Sequence, residues 1–165
     1  IWLESGQFTS VDPDDPSIIT TVPGSKTEGA EIQLSGSLTE RWTINAGYSY
    51  LDGEVEGGSL DGNTTRQTPE HMVSVWNQFA ATESLSLAIG LTHQSASFVR
   101  EDNAVEVPAY TRIDAAAYYD LTDRTRLQLN IENLLNEDYF PDAHSNDNIS
   151  TGAPLNARLT VRHEF

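Results

Sequence analysis

Apolar and polar positions alternate with a period of two along most of this chain. In LNARLTVRHEF, Leu155, Ala157, Leu159, Val161, His163 and Phe165 fall on one side, and Asn156, Arg158, Thr160, Arg162 and Glu164 on the other. RLQLNIEN separates Leu127, Leu129 and Ile131 from Gln128, Asn130 and Glu132, and YTRIDAAAYYDL separates Ile113, Ala115, Ala117 and Tyr119 from Arg112, Asp114 and Asp120. LSLAIGLT, EIQLSGSLT and WTINAGYSY behave alike, with apolar rows Leu85–Leu91, Ile32–Leu38 and Trp42–Tyr50. HMVSVWNQF is the weakest, because Met72 and Trp76 oppose Val73, Val75 and Phe79. Successive side chains of an extended strand point to opposite faces, so the pattern predicts seven amphipathic β-strands. None of the apolar rows contains Asp, Glu, Lys or Arg; the charges of these segments lie on the other face.

The connections alternate too. TERW, AATES and LTDRT are short turns, whereas about 52–70, 94–109 and 136–153 are long and rich in Gly, Asn, Asp and Ser. An up-and-down antiparallel sheet with all short turns at one end has this property, as outer-membrane barrels do. Trp42, Phe79, Tyr119 and Phe165 lie on the apolar face beside the short turns, and Tyr48 and Tyr50 toward the long loops. Two aromatic levels are what a bilayer's two interfaces select. The pattern therefore predicts strands of a transmembrane barrel, the apolar face in lipid and Phe165 at the periplasmic rim, where it serves as an assembly signal. A soluble β-sandwich is the competing architecture; it leaves the two aromatic levels without a cause.

Composition narrows the function. The formal net charge is −16, from 25 Asp plus Glu against 9 Lys plus Arg, which disfavours a nucleic-acid partner. There is no cysteine, hence no disulfide and no thiolate metal site. No apolar run is long enough for a membrane-crossing helix, which leaves strands open as the crossing element. The start, IWLESGQFTS, has neither the basic nor the apolar region of a signal peptide. His71, His93, His144 and His163 lack the spacing of a metal site, and DPDDPS lacks the Gly and terminal Glu of an EF-hand loop and reads as a turn. No GxSxG, HExxH or phosphate-loop motif is present, so no enzyme is predicted.

KTEGAEIQLSGSLTERWTINAGYSYLDGEV, RQTPEHMVSVW, VPAYTRIDAAAYYDL, LQLNIENLLNEDYF and GAPLNARLTVRHEF, in that order, resemble the late barrel strands of TonB-dependent siderophore receptors. AHSNDNISTGAP resembles the last loop of the catecholate type, a looser match. The resemblance implies an all-β, antiparallel, up-and-down transmembrane barrel of about 22 strands around an N-terminal plug. At roughly 20 residues per strand and connection, a whole barrel needs well over twice this length. Residues 1–165 are thus expected to be a C-terminal barrel segment of about eight strands, including a frayed one in residues 1–11, with the plug absent.

The function implied by the resemblance is outer-membrane ferric-siderophore import. The partners are the ferric siderophore, outer-membrane lipid, the rest of barrel and plug, and the TonB complex acting through the missing N-terminal part. No cofactor is expected, since iron arrives chelated. Loop groups able to pair with or stack on an anionic, aromatic chelate are Arg66, Arg100, Tyr110, Arg112, Tyr139, Phe140 and His144. Arg112, Asp114, Glu132, Arg158, Arg162 and Glu164 are expected to face the lumen, pairing with one another or docking the plug. The rival is a self-contained eight-stranded barrel with a structural or adhesive role, in which residues 1–11 would pair with residues 155–165.

Overall fold

The computed structural model describes the backbone of residues 2–5, 8–11, 19–22 and 24–165, and side chains from residue 24 onward. The DPDDPS turn predicted from the sequence lies outside the described residues. The strands in chain order are β1 (Trp2–Ser5), β2 (Phe8–Val11), β3 (Ile19–Val22), β4 (Gly24–Thr39), β5 (Trp42–Glu56), β6 (His71–Ala80) and β7 (Leu85–Gln94). They continue with β8 (Ser97–Phe98), β9 (Glu106–Val107), β10 (Tyr110–Thr122), β11 (Thr125–Glu132), β12 (Asp142–Ser145), β13 (Asn148–Ser150) and β14 (Asn156–His163). Eight of these form one antiparallel sheet in the order β1-β4-β5-β6-β7-β10-β11-β14. The other six pair as three small ribbons, β2 with β3, β8 with β9 and β12 with β13.

All seven predicted strands are present, each joined to the next by hairpin pairing. β1 pairs with β4, and β14 pairs with β11. First and last strands of the sheet do not meet, so the described strands form an open wall and the closed eight-stranded barrel is set aside.

The register carries one apolar row across the wall. Trp42 sits opposite Phe79, Phe79 opposite Leu87, Leu87 opposite Ala117, Ala117 opposite Leu129 and Leu129 opposite Leu159. These side chains have no second layer over them: Ile32 is 69% exposed, Leu34 54%, Ile89 52% and Leu159 65%. A contiguous apolar surface of this extent needs a non-aqueous cover. Trp42 to Tyr50 spans about nine residues, the length with which a tilted strand crosses a bilayer core. On this face the Asn77 side-chain amide accepts a hydrogen bond from the Trp42 indole N–H at 3.2 Å.

β4 and β5 run longer than predicted, 16 and 15 residues. Asp52–Glu56 continue the hairpin against Gly24–Glu28 beyond the loop-end aromatic level. Apart from the buried Val55, both faces of this extension are polar, so it has no apolar alternation to announce it. There the Lys26 ammonium, 2.9 Å from Glu28, is held above the ordinary lysine pKa by that hydrogen bond and charge.

On the opposite face Trp76 lies over Gly90, where an added Cβ would come within 2.4 Å of the indole ring. Gly90→Ala is expected to destabilise by about 1–3 kcal/mol through this overpacking. Gly36, with nothing within 4 Å of an added Cβ, is the matched control. Urea midpoints of the two variants check it, with Gly36→Ala unchanged or raised.

Candidate functional site: the loop cap and the inner wall

The long loops close over one another. Val99, Val107 and Ala143 are buried together, with Val105, Phe140 and Ile149 packed around them, so loops 95–109 and 133–155 share a small apolar core. Loop 57–70 is stitched to the first of these. Asn103 accepts from the Thr64 amide and donates to the Thr64 carbonyl, both at 2.9 Å, and the Asn63 side-chain amide donates to the Glu101 carbonyl at 2.8 Å. The Gln67 amide donates to the Phe98 carbonyl at 2.7 Å, and its side chain to the Ala143 carbonyl at 2.7 Å. Asn146 donates to Asp102 at 3.1 Å. Three loops far apart in sequence thus form one cap.

A second cluster ties the cap to the wall. Arg112 donates to Asp114 at 2.9 Å and to the Tyr139 hydroxyl at 2.9 Å, and its guanidinium carbon lies 5.7 Å from the Tyr139 ring centre. Tyr110 packs tilted against Tyr139 with ring centres 4.8 Å apart. The other Asp114 oxygen accepts from the Asn133 amide at 2.9 Å. Asn133 is 1% exposed; its side chain donates to the Glu137 and Ala153 carbonyls and accepts from the Glu137 amide. Tyr139 covers Gly152, where a Cβ would come within 2.2 Å of its ring. This half-buried ion pair is stable there because its polar atoms have partners.

Of the residues chosen from the sequence, the fold brings together Tyr110, Arg112, Tyr139 and Asp114. Phe140 joins the apolar core of the cap. Arg66 lies 3.4 Å from Glu101 and remains 62% exposed in its side chain. Arg100 and His144 are exposed and have no bond to the Arg112–Asp114–Tyr139 cluster. Glu132, Arg158 and Arg162 lie on the polar face of the wall, in register with Asn156, Asn130 and Arg126; Arg162 pairs with Glu164 at 3.2 Å. Arg126, opposite Arg162, is held by Asp120. Asn133, Gln67, Asn103 and Trp76 were not singled out by sequence.

The aromatic residues of the apolar face lie near the two ends of the strands. Tyr48 hydrogen-bonds His71 Nδ1 at 3.0 Å and stacks on its ring, and the Tyr50 ring packs tilted against it, 5.4 Å between centres, at the loop end. Trp42, Phe79 and Tyr119 lie at the turn end, where Phe165 packs edge-on to His163. Among the described residues, no group of three or more His, Asp or Glu is placed to hold a metal ion.

This architecture has known counterparts. The family described as TonB dependent receptor-like, beta-barrel, matches residues 4–134. The chain is 29% identical over 164 residues to the probable TonB-dependent siderophore receptor PiuA of Acinetobacter baumannii, covering 92% of this chain and 22% of that protein. It is 28% identical over 164 residues to the catecholate siderophore receptor Fiu of Escherichia coli K12, covering 94% and 22%. The crystal structure of the siderophore receptor PiuA from Acinetobacter baumannii superposes with a TM-score of 0.87 at 28% identity, over 98% of this chain and 25% of that one. The chain therefore spans under a quarter of the length of these curated relatives. It belongs to the TonB-dependent receptor β-barrel family, and the apolar side of its sheet is the lipid face of an outer-membrane barrel.

Proposed function

We infer that this chain is the C-terminal wall and outer loop cap of a receptor importing ferric siderophores through a plugged barrel driven by the TonB complex. The observation that carries the reading is the combination of a lipid face with a charged inner wall in a chain matching relatives named as siderophore receptors. Iron enters as cargo inside its chelate, so the protein needs recognition of an anionic, largely aromatic surface and no ligands of its own. On the inner wall Asp114, Glu132, Arg158, Arg162 and Glu164 face where a plug would pack.

Arg112 is engaged with Asp114 and Tyr139, and Tyr139 with Arg112 and Tyr110, so their part is to fix the loops. Arg66, Arg100 and His144 retain exposed side chains on the cap and are the groups for first contact with the chelate. A charge-assisted hydrogen bond contributes about 1.5–3 kcal/mol, so losing one raises the apparent Kd about tenfold or more. The catecholate class is favoured by the resemblance to Fiu.

Uptake of radioactive iron by a receptor-deficient strain carrying the full receptor tests this. Ferric catecholates are expected to enter, hydroxamates less well, and Arg66→Ala/Arg100→Ala is expected to show the tenfold loss. Import of no ferric chelate sinks the functional reading; normal affinity in the double variant sinks only the assignment of Arg66 and Arg100.

A further inference from the structure

We propose that a hollow beneath the loop cap takes an ammonium-bearing arm of the ferric chelate, with Asp142 as the residue that selects for it. The inference rests on the receptor reading above and adds a charge preference at the part of the chelate remote from iron. The hollow measures about 220 Å³ and is lined by Leu51, Met72 and Gln94 of the wall and by Gln67, Pro141 and Asp142 of the cap, among others. Met72 lies across from Ser49 and from Gln94, on the face turned toward the lumen, and Leu51 follows Ser49 by two residues on that same face. The hollow therefore sits on the lumen side, where cap and inner wall meet. It is smaller than the pockets that enclose a whole drug-sized ligand, so it has room for an arm and leaves the iron-bearing head outside.

The lining is rich in acceptors and poor in donors. Gln67 donates its side-chain N–H to the Ala143 carbonyl at 2.7 Å, which leaves its amide oxygen as an acceptor. One Asp142 carboxylate oxygen accepts from the Ala143 amide at 2.8 Å, and the other has no donor among the described residues. The Gln94 side chain likewise has no partner among them. Pro69 and Pro141 also line the hollow, and proline has no backbone N–H to offer. No Lys, Arg or His is among the described residues of the lining, and Arg66, next to Gln67 in the chain, pairs with Glu101 at 3.4 Å. An ammonium brings three donors and a positive charge to this carboxylate and the neutral acceptors beside it. An anionic catecholate head is repelled there and is left to Arg66, Arg100 and His144 on the cap. Leu51 and Met72 supply an apolar wall for the methylene stem that carries the ammonium. The lining is also set in advance. Gln67 stands at φ 49°, held by its amide bond to the Phe98 carbonyl and its side-chain bond to Ala143, both 2.7 Å. A residue other than glycine keeps that backbone only where its surroundings over-determine it.

Displacement of a radioiron-labelled tris-catecholate from the purified full receptor tests this. The competitors are three synthetic ferric tris-catecholates that differ only at the end of one pendant propyl arm: ammonium, hydroxyl or carboxylate. The ammonium form is expected to bind about tenfold more tightly than the hydroxyl form, as one charge-assisted hydrogen bond gives, and the carboxylate form most weakly. Asp142→Asn keeps an oxygen to accept from the Ala143 amide and is expected to bring the ammonium and hydroxyl forms level. Equal binding of the three forms overturns the proposal, a basic side chain from the rest of the receptor filling the hollow being one such case. An undiminished ammonium preference in Asp142→Asn also overturns it, since the arm then sits elsewhere. Failure of the labelled chelate and of all three forms to bind overturns the catecholate reading, and the site with it. Should Asp142→Asn lose the heat-modifiable mobility of a folded barrel, Gln94→Glu decides. Its added carboxylate is expected to widen the ammonium preference, and an unchanged preference overturns the proposal.

Discussion

Ile89→Arg is expected to cost the barrel about 2–4 kcal/mol and to cut its assembly into membranes sharply. Ile89 lies midway between Leu85 and His93 on the apolar row of β7 and is 52% exposed, so its side chain meets hydrocarbon at mid-depth. An arginine there must bend its charge to a distant interface or draw water inward. Gln78→Arg is the comparison. Gln78 pairs with Ala88, one residue before Ile89, but on the face turned toward the lumen. Water and other polar groups reach that face, so its cost is expected to stay within about 1 kcal/mol. Refolding the receptor into lipid vesicles, followed by urea titration and gel mobility, reads both values. Equal effects from the two arginines would mean that the apolar face is not the lipid face.

The alternation that makes this prediction possible was legible because lipid imposes it. One face of every crossing strand must be apolar from end to end, so the sequence from Ile32 to Val161 carries the signal repeatedly. Where the solvent is water on both sides, the signal vanishes. The extension of β4 and β5 past Tyr50 and the ribbons β8–β9 and β12–β13 went unseen for that reason.

The site was less readable, because its geometry joins distant segments. Tyr110, Arg112 and Tyr139 have chemistry suited to a chelate; their actual neighbours are each other and Asp114, across 27 residues of chain. Asn133 and Asn136 stand in left-handed backbone, with φ of 54° and 52°. Asn tolerates that conformation better than most residues, so two Asn in NLLN were a readable hint of a tight turn. Gln67, at φ 49°, offers no such hint. The histidines looked isolated because their partners sit on neighbouring strands: His93 opposite Thr111 and His163 opposite Thr125 become visible only with the register.

The second large effect is expected at Asn133. Asn133→Ala removes the hydrogen bonds to Glu137 O and Ala153 O and from Glu137 N. It also places an alanine at positive φ. Half-buried backbone groups left unpaired cost up to about 1–3 kcal/mol each, and left-handed alanine roughly 1–2 more. Some of these groups regain water as the loop lifts, so a net loss of about 3–5 kcal/mol is expected. That loss falls on the latch between loop 133–155 and the wall, since the β10–β11 ladder below does not depend on it. Local opening should rise about a hundredfold or more, visible as protease cleavage between Asp138 and Ser150 while the strands stay intact. Asn133→Gly separates the causes, because glycine accepts the backbone angle but supplies none of the side-chain bonds. If glycine behaves like asparagine, the bonds contribute nothing and the latch lies elsewhere. If it behaves like alanine, the bonds hold the cap, and loop cleavage should rise in both variants alike.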